Sequence, residues 1–377
     1  MLKEHVMKKP LEQITIKGFK SIRELEGFPL SSLNILIGAN GSGKTNFIAA
    51  FRLLNQIVRE NLQLFISQQG GADTLLYFGQ KKTDQIELDL QFGNNGYNCS
   101  LVPAAGDTLV FLSEQVRFHN KKYSRPYVEE LGSGQKETKL LEKETKLLER
   151  RASFTKIAVY VLSAIRSWRI YHFHDTSAGA KIKQRGNLSD NEILRADASN
   201  LAAFLYLLQE TKEPYYRKIV AIIRMVTPFF HDFNLRPDPH NREKIQLEWR
   251  EIGSDTYFNA HMLSDGTLRF MCLATLLLQP NLPSTILIDE PELGLHPYAI
   301  TVLASLLRSV SKDAQVIVST QSVSLVNQFS PEDIIVVDRK DYQSTFSRLG
   351  EKDLEGWLDD YGMGDLWEKN VLGGRPG

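Results

Sequence analysis

Residues 33–45 read LNILIGANGSGKT. The last eight, Gly38-Ala-Asn-Gly-Ser-Gly43-Lys44-Thr45, satisfy the spacing G-x-x-x-x-G-K-[ST] in full. The run LNILIG at 33–38 is a short apolar strand entering this glycine-rich turn. Beyond it, Phe47, Ala50, Phe51, Leu54 and Val58 recur at helical spacing within 46–61. A strand, a glycine loop and a helix in that order make a phosphate-binding unit. Glycines let the backbone wrap closely, so that its N–H groups and the helix N-terminus face phosphate oxygens. Lys44 is placed to neutralise β- and γ-phosphates, and the Thr45 hydroxyl to take one Mg²⁺ position. The residues expected to hold a nucleotide are Asn40, Gly41, Ser42, Gly43, Lys44, Thr45 and Asn46.

Outward from this unit, residues 11–23 alternate apolar and polar around Ile14, Ile16, Phe19 and Ile22, a strand signal. Strands are expected again at 86–92, 98–102 and 108–118, with the turn GNNG at 93–96 between two of them. Residues 137–143 (ETKLLEK) are repeated almost unchanged at 144–150 (ETKLLER), with Leu140, Leu141, Leu147 and Leu148 on one stripe. Two heptads are too few for an independent coiled coil. The repeat reads as a solvated helix capping its own domain, or as a small dimerisation helix. Helices are expected at 188–210 and 214–230, with a break at Pro237 and Pro239. Strand and helix then alternate through 245–250, 266–279, 285–289, 297–310, 315–319 and 334–338, which indicates an α/β sheet. The segment 351–369 carries seven acids and two bases and reads as a mixed helix before a Gly-Gly-Arg-Pro end.

The composition excludes several classes. In 377 residues, Lys plus Arg is 45 and Asp plus Glu is 45, so the chain is no generic polycation. Nucleic-acid binding would need a local patch. The window 150–186, with eight bases (Arg150, Arg151, Lys156, Arg166, Arg169, Lys181, Lys183, Arg185) against Asp175, is the candidate. Two cysteines, Cys99 and Cys272, make neither a disulfide framework nor a four-cysteine zinc site. The start MLKEHVMKKP lacks the apolar core of a signal peptide, and no apolar run approaches the ~18 residues of a membrane span. A cytoplasmic chain with no membrane partner is expected.

The run Thr285-Ile-Leu-Ile-Asp289-Glu290 describes a buried strand with two carboxylates at its end. Asp289 there can hold the Mg²⁺ shell, and Glu290 can polarise an attacking water. About twenty residues earlier, Leu263-Ser264-Asp265-Gly266-Thr267 opens a helix. A serine and a glycine at a helix N-terminus can bind a γ-phosphate by the dipole and N–H logic of the phosphate loop. A simple helix cap by Ser264 or Asp265 is the plainer reading of the same residues.

This pentapeptide resembles the LSGGQ signature of ABC-type ATPases, with Asp265 in place of one glycine and Thr267 in place of the glutamine. The opening ITIKGFKSI strand, the ANGSGKT loop, and the DEPELGLHP and STQS segments together resemble the RecF/SMC/OLD-like branch of that family, over roughly 14–60 and 260–330. The resemblance implies an α/β fold: an ABC-ATPase head with an antiparallel β subdomain and an inserted helical lobe. The corresponding division is 10–130 (N-terminal ATPase lobe), 131–240 (helical insertion), 241–345 (C-terminal ATPase lobe) and 346–377 (tail). It also implies that Ser264, Asp265 and Gly266 complete a partner subunit's site, and that Glu292–Pro297 is the D-loop. Gln321 stands where many relatives have a histidine that senses the γ-phosphate. Glutamine can still hydrogen-bond a phosphate oxygen but carries no charge.

The expected activity is hydrolysis of ATP with Mg²⁺, Glu290 and Gln321 being the catalytic candidates and Thr45 and Asp289 the metal ligands. The expected assembly is a homodimer or higher homo-oligomer joined through an ATP sandwich. The resemblance implies control of a DNA-directed process: antiphage defence through a separate nuclease or toxin chain, or alternatively DNA repair or chromosome handling. OLD-like relatives carry a Toprim nuclease, for which the short stretch after Gln321 leaves no room. A transporter ATPase subunit is the competing class, disfavoured by the long interval between Lys44 and Ser264. Gln80 and Gln115 are alternatives for the glutamine that contacts Mg²⁺ in this family. His172, His174 and Asp175 read either as a facial metal set or as ordinary hydrogen-bonded strand residues.

Overall fold

The computed structural model describes residues 10–120, 122–142, 155–350, 354, 357 and 361–374. The second heptad at 144–150 lies outside them, as does the start of the basic window. The chain divides into two compact units. One comprises Met1–Trp168, Pro331–Glu355 and Trp367–Gly377, and the other Arg169–Ser330 and Gly356–Leu366.

The first unit opens with β1 (Gln13–Phe19), β2 (Ile22–Pro29) and β3 (Leu33–Ile37), followed by α1 (Lys44–Ile57) and α2 (Leu62–Gln68). Next come β4 (Ile86–Phe92), β5 (Asn95–Ala104), β6 (Thr108–Phe118), β7 (Tyr127–Gly132) and α3 (Thr155–Arg166). An antiparallel sheet runs in the order β2-β1-β4-β5-β6-β7. In β4 the alternation IELDLQF buries every other residue, so period-two patterning here has its expected cause. β3 is different: all five residues are buried, and it pairs in parallel with Ile334–Lys340. That strand turns back through the antiparallel strand Gln343–Arg348. The all-apolar pattern of β3 is thus that of a strand covered on both faces.

α1 is anchored by aromatic packing. Phe47 and Phe51 are fully buried, with Phe47 5.4 Å from the Phe346 ring and Phe51 5.0 Å from Trp168. Truncating such a phenylalanine to alanine costs about 3–5 kcal/mol, enough to release the helix that carries the phosphate loop.

In the second unit, Thr285–Asp289 pairs in parallel with Arg169–Tyr171 on one side and Gln315–Thr320 on the other, with Asp289 opposite Ser319. Asp265–Leu278, Pro297–Val310, Leu201–Thr211 and Glu213–Val226 are its main helices. A small antiparallel sheet joins Phe230–Phe233, Glu248–Glu251 and Tyr257–Asn259.

Three expectations need correction. The helix expected over 188–210 begins only at Leu201, because Asn200 organises the preceding turns: its side chain accepts from the Arg195 N–H and donates to the Asp190 and Ile193 carbonyls. The helix expected over 214–230 ends at Val226, ahead of Pro228, and Phe230 already belongs to a strand. The strand expected at 245–250 is two short pieces, Lys244–Ile245 and Glu248–Glu251. No helix among the described residues is long and apolar enough to cross a membrane.

Candidate functional site

The first unit holds the phosphate loop between β3 and α1, in the strand–loop–helix context read from sequence. Lys44 is buried, and its ammonium donates to the carbonyls of Gly38 (2.6 Å) and Ala39 (3.0 Å). Thr45 is exposed in the first turn of α1. Gly43 caps α1 at φ 121°, with no side-chain cap and no acid in the first turn, so the first N–H groups of a 14-residue helix lack the usual local acceptor. Ser42 is 3% exposed, and its hydroxyl finds no partner among the described residues. An uncapped helix start beside a buried orphan hydroxyl and a buried ammonium fits an anionic phosphate.

The loop is braced by residues that the sequence did not single out. The Ser344 hydroxyl donates to the Ser42 carbonyl (2.5 Å) and lies 2.7 Å from the Ser21 hydroxyl. Asn46, expected to hold nucleotide, donates its amide to Ser21 (2.7 Å). Ser21 lies in the turn between β1 and β2, within the ITIKGFKSI segment noted for its resemblance, but Ser344 is about 300 residues away and carries no local signal.

The second unit holds the acidic strand, the signature residues and Gln321. Asp289 accepts a hydrogen bond from the Ser319 hydroxyl on the neighbouring strand. Glu290 has φ 45°, a left-handed conformation uncommon outside glycine, and its N–H donates to the Ser319 carbonyl (2.9 Å). Strain of this kind costs about 1–3 kcal/mol and persists where the surroundings over-determine it. Here the surroundings include Gln321, whose side-chain amide donates to the Glu290 carboxylate. The structure therefore joins the two residues nominated as catalytic, Glu290 and Gln321, in one contact.

Glu292, read only as part of a loop, accepts from the Thr320 hydroxyl (2.6 Å) and the Gln321 N–H (3.1 Å). Burial pushes its carboxyl above the usual range, against those two hydrogen bonds. It ties the segment after the acidic strand to the end of Gln315–Thr320.

Ser264 caps the signature helix: its hydroxyl accepts from the Thr267 N–H (3.2 Å). This cap accounts for a serine at the position without any further partner. Asp265 pairs with the buried Lys183 at 3.6 Å. Gly266 is set by close approach, since a β-carbon there would fall 2.1 Å from the Gly294 carbonyl oxygen. Three residues further on, the buried Arg269 donates to the carbonyls of Phe173 (2.8 Å), Leu293 and His174 (3.4 Å). Burial lowers its pKa, while Asp265 opposes that shift. One guanidinium thus connects the signature helix to the 173–174 segment and to the loop after the acidic strand. His296 caps the helix Pro297–Val310, accepting from the Tyr298 N–H at 3.2 Å.

Other nominated residues do not gather into the site. His172 and His174 are exposed and alternate with buried Tyr171 and Phe173 just past the end of the strand Arg169–Tyr171, while Asp175 accepts from the Ser177 N–H (3.2 Å) and hydroxyl (2.7 Å). Among the described residues no group of three His, Cys, Asp or Glu could hold a metal ion, so the facial set is not formed. Gln80 donates to Asp107 (3.2 Å) and Gln115 to Asn98 (3.3 Å). The basic window is split between the two units, and two of its members are already paired, Lys183 with Asp265 and Arg185 with Asp238.

Comparison with known proteins agrees with this geometry. The chain is 31% identical over 101 residues to the DNA replication and repair protein RecF of Vibrio atlanticus (strain LGP32), covering 26% of this chain and 28% of RecF. It is 30% identical over 82 residues to the phosphate import ATP-binding protein PstB of Ehrlichia ruminantium (strain Gardel), covering 22% of this chain and 32% of PstB. The alignments therefore span about a third or less of these relatives. Among solved structures, an SmcHead bound to the C-winged helix domain of ScpA superposes with a TM-score of 0.57 at 16% identity, covering 91% of this chain and 99% of that one. The Smc head domain with an extended coiled coil derived from Pyrococcus furiosus gives 0.55 at 17% identity, over 93% and 99%. The likeness to Smc heads is one of fold. The family described as "AAA domain, putative AbiEii toxin, Type IV TA system" matches residues 33–327, well over half of the chain, and the chain belongs to it.

Proposed function

We propose that this protein hydrolyses ATP with Mg²⁺ and uses the cycle to close and reopen a homodimer, or a higher oligomer of such dimers, that controls a DNA-directed process. The observation that carries the reading is the Glu290–Gln321 contact at the end of the acidic strand, with Glu290 held at φ 45°. A carboxylate over-determined in this way is prepared to orient a water, and Gln321 holds the carboxylate in turn. Lys44 and the amides from Gly41 to Asn46 bind the phosphates. Thr45 and Asp289 are the residues that would hold Mg²⁺, which supplies charge neutralisation at the phosphates. Ser264, Asp265 and Gly266 offer a second helix N-terminus, here to the nucleotide of a partner subunit.

The family description supports a defence role with a separate effector chain, a nuclease or toxin, and the RecF similarity supports repair as the second reading. The DNA-directed part has its support at the β6–β7 turn. Residues 115–128 contain four bases, of which Arg117 is paired with Asp89, and no acid; Phe118, Tyr123 and Tyr127 are 37%, 69% and 40% exposed around a cavity of about 520 Å³. Bases flanking exposed rings suit a phosphate backbone and stacked bases.

Glu290→Gln tests the reading. It is expected to keep ATP binding, lower turnover at least 100-fold, and trap an ATP-dependent dimer in sedimentation, while Ser264→Arg added to it abolishes that dimer. Wild-type turnover by Glu290→Gln would remove Glu290 from its role.

A further inference from the structure

The Gly-Gly pair near the C-terminal end has no place in the reading above, yet it meets the phosphate loop. The Ala39 N–H donates to the Gly374 carbonyl at 2.6 Å. Gly373 and Gly374 both occupy the left-handed region, at φ 77° and 76°, where an L side chain is strained. Gly374 is buried, and a β-carbon on it would lie 3.0 Å from the Val336 side chain and 3.4 Å from both the Gly38 α-carbon and the Val337 carbonyl oxygen. On the facing side, a β-carbon on Gly38 would fall 2.1 Å from the Val337 oxygen. Three backbones, those of the loop entry, the end of the strand Ile334–Lys340 and the C-terminal segment, therefore pack closely beside the Val336 side chain, with no room for a β-carbon on Gly38 and little for one on Gly374.

We propose that Gly373 and Gly374 are positioning residues for the phosphate loop: the C-terminal segment clamps the loop's entry and sets its affinity for nucleotide. The contact lands on Ala39, ahead of Gly41–Asn46, whose amides lead into α1, so it steadies the loop without occupying its mouth. It works with the Ser344 hydroxyl on the Ser42 carbonyl, and both clamps come from C-terminal residues. A preorganised loop binds phosphate without first ordering itself, which is why the effect falls on affinity. The proposal rests on the nucleotide-binding reading above.

The test compares the full-length wild type, Gly374→Val and, as a milder variant, Gly374→Ala. Gly253→Val is the control: it puts a side chain at φ 80° with nothing within 4 Å. Amide hydrogen exchange is followed at Ala39, and binding of a fluorescent ATP analogue and steady-state turnover are measured. Gly374→Val is expected to speed Ala39 exchange at least tenfold, weaken ATP binding and raise KM by tenfold or more, and leave kcat within twofold. Gly374→Ala should fall between, and Gly253→Val should change none of these. Unchanged Ala39 exchange would overturn the clamp, and lost protection with unchanged affinity would overturn its positioning role. A kcat loss with KM unchanged would overturn it too. If the wild type itself bound no ATP, the functional reading would fall, while Ala39 exchange would still decide whether the clamp exists.

Discussion

Replacing Arg269 by methionine should cost the second unit about 3 kcal/mol. Arg269 is 5% exposed, and its guanidinium serves two well-placed carbonyls, Phe173 and Leu293, and a longer one, His174, at 3.4 Å. A hydrogen bond from a charged donor contributes about 1.5–3 kcal/mol, and each acceptor left dry costs about 1–3 kcal/mol. Two good acceptors give about 2–6 kcal/mol. Burying the guanidinium works against this, as its lowered pKa shows, and methionine removes that penalty while filling most of the volume. The lower half of the range, about 3 kcal/mol, is therefore the expected loss. Native-state hydrogen exchange on the amides of Asp265–Leu278 and Thr285–Asp289 reads it locally, which matters because a chain of two units need not unfold in one step. Lysine, with one compact ammonium, should recover only part of the loss. A loss below about 1 kcal/mol for Arg269→Met would refute the reasoning, since the carbonyls would then be satisfied without the guanidinium.

Two further outcomes are expected. Glu114 is fully buried and accepts from Tyr97 (2.9 Å), Gln135 (3.1 Å), the Lys139 N–H (3.0 Å) and Thr138; burial nonetheless holds its pKa above the usual carboxylate range. A raised folded-state pKa means that the folded protein takes up this proton first, so the contribution of Glu114 to stability grows as pH falls through that window and shrinks as pH rises. Carboxyl ¹³C titration should show its midpoint above those of the exposed glutamates, and an ordinary midpoint would contradict the burial argument. At the β6–β7 turn, changing Lys122 and Arg125 to glutamate and Tyr123 to alanine should weaken binding of single-stranded DNA at least tenfold and flatten its salt dependence. Equal, salt-sensitive binding by wild type and variant would place any DNA site elsewhere.

Local chemistry made the phosphate loop legible, because a glycine loop between an apolar strand and a helix is a complete device within about 25 residues. The acidic strand was legible for the same reason, a largely apolar run, Thr285–Ile288, ending in Asp289 and Glu290. Composition counts charges but not their pairing: within 150–186, Lys183 and Arg185 meet Asp265 and Asp238. The shorter cationic turn near Tyr123 went unremarked because its exposed rings matter as much as its charge. Helix limits at 188–210 failed because hydrophobic spacing does not register an asparagine that satisfies three backbone groups.

The sequence by itself determined which chemistry this chain carries: a phosphate loop at Gly38–Thr45, carboxylates at Asp289 and Glu290, and a capped helix from Ser264. Tertiary structure decided what holds those pieces in working form. Gln321 on Glu290, Arg269 on Phe173 and Leu293, Ser344 on Ser42 and Gly374 on Ala39 all join residues far apart in the chain. Most of these contacts end on backbone carbonyls and amides, groups every residue possesses, so no side-chain pattern announces them until the fold brings the backbones together.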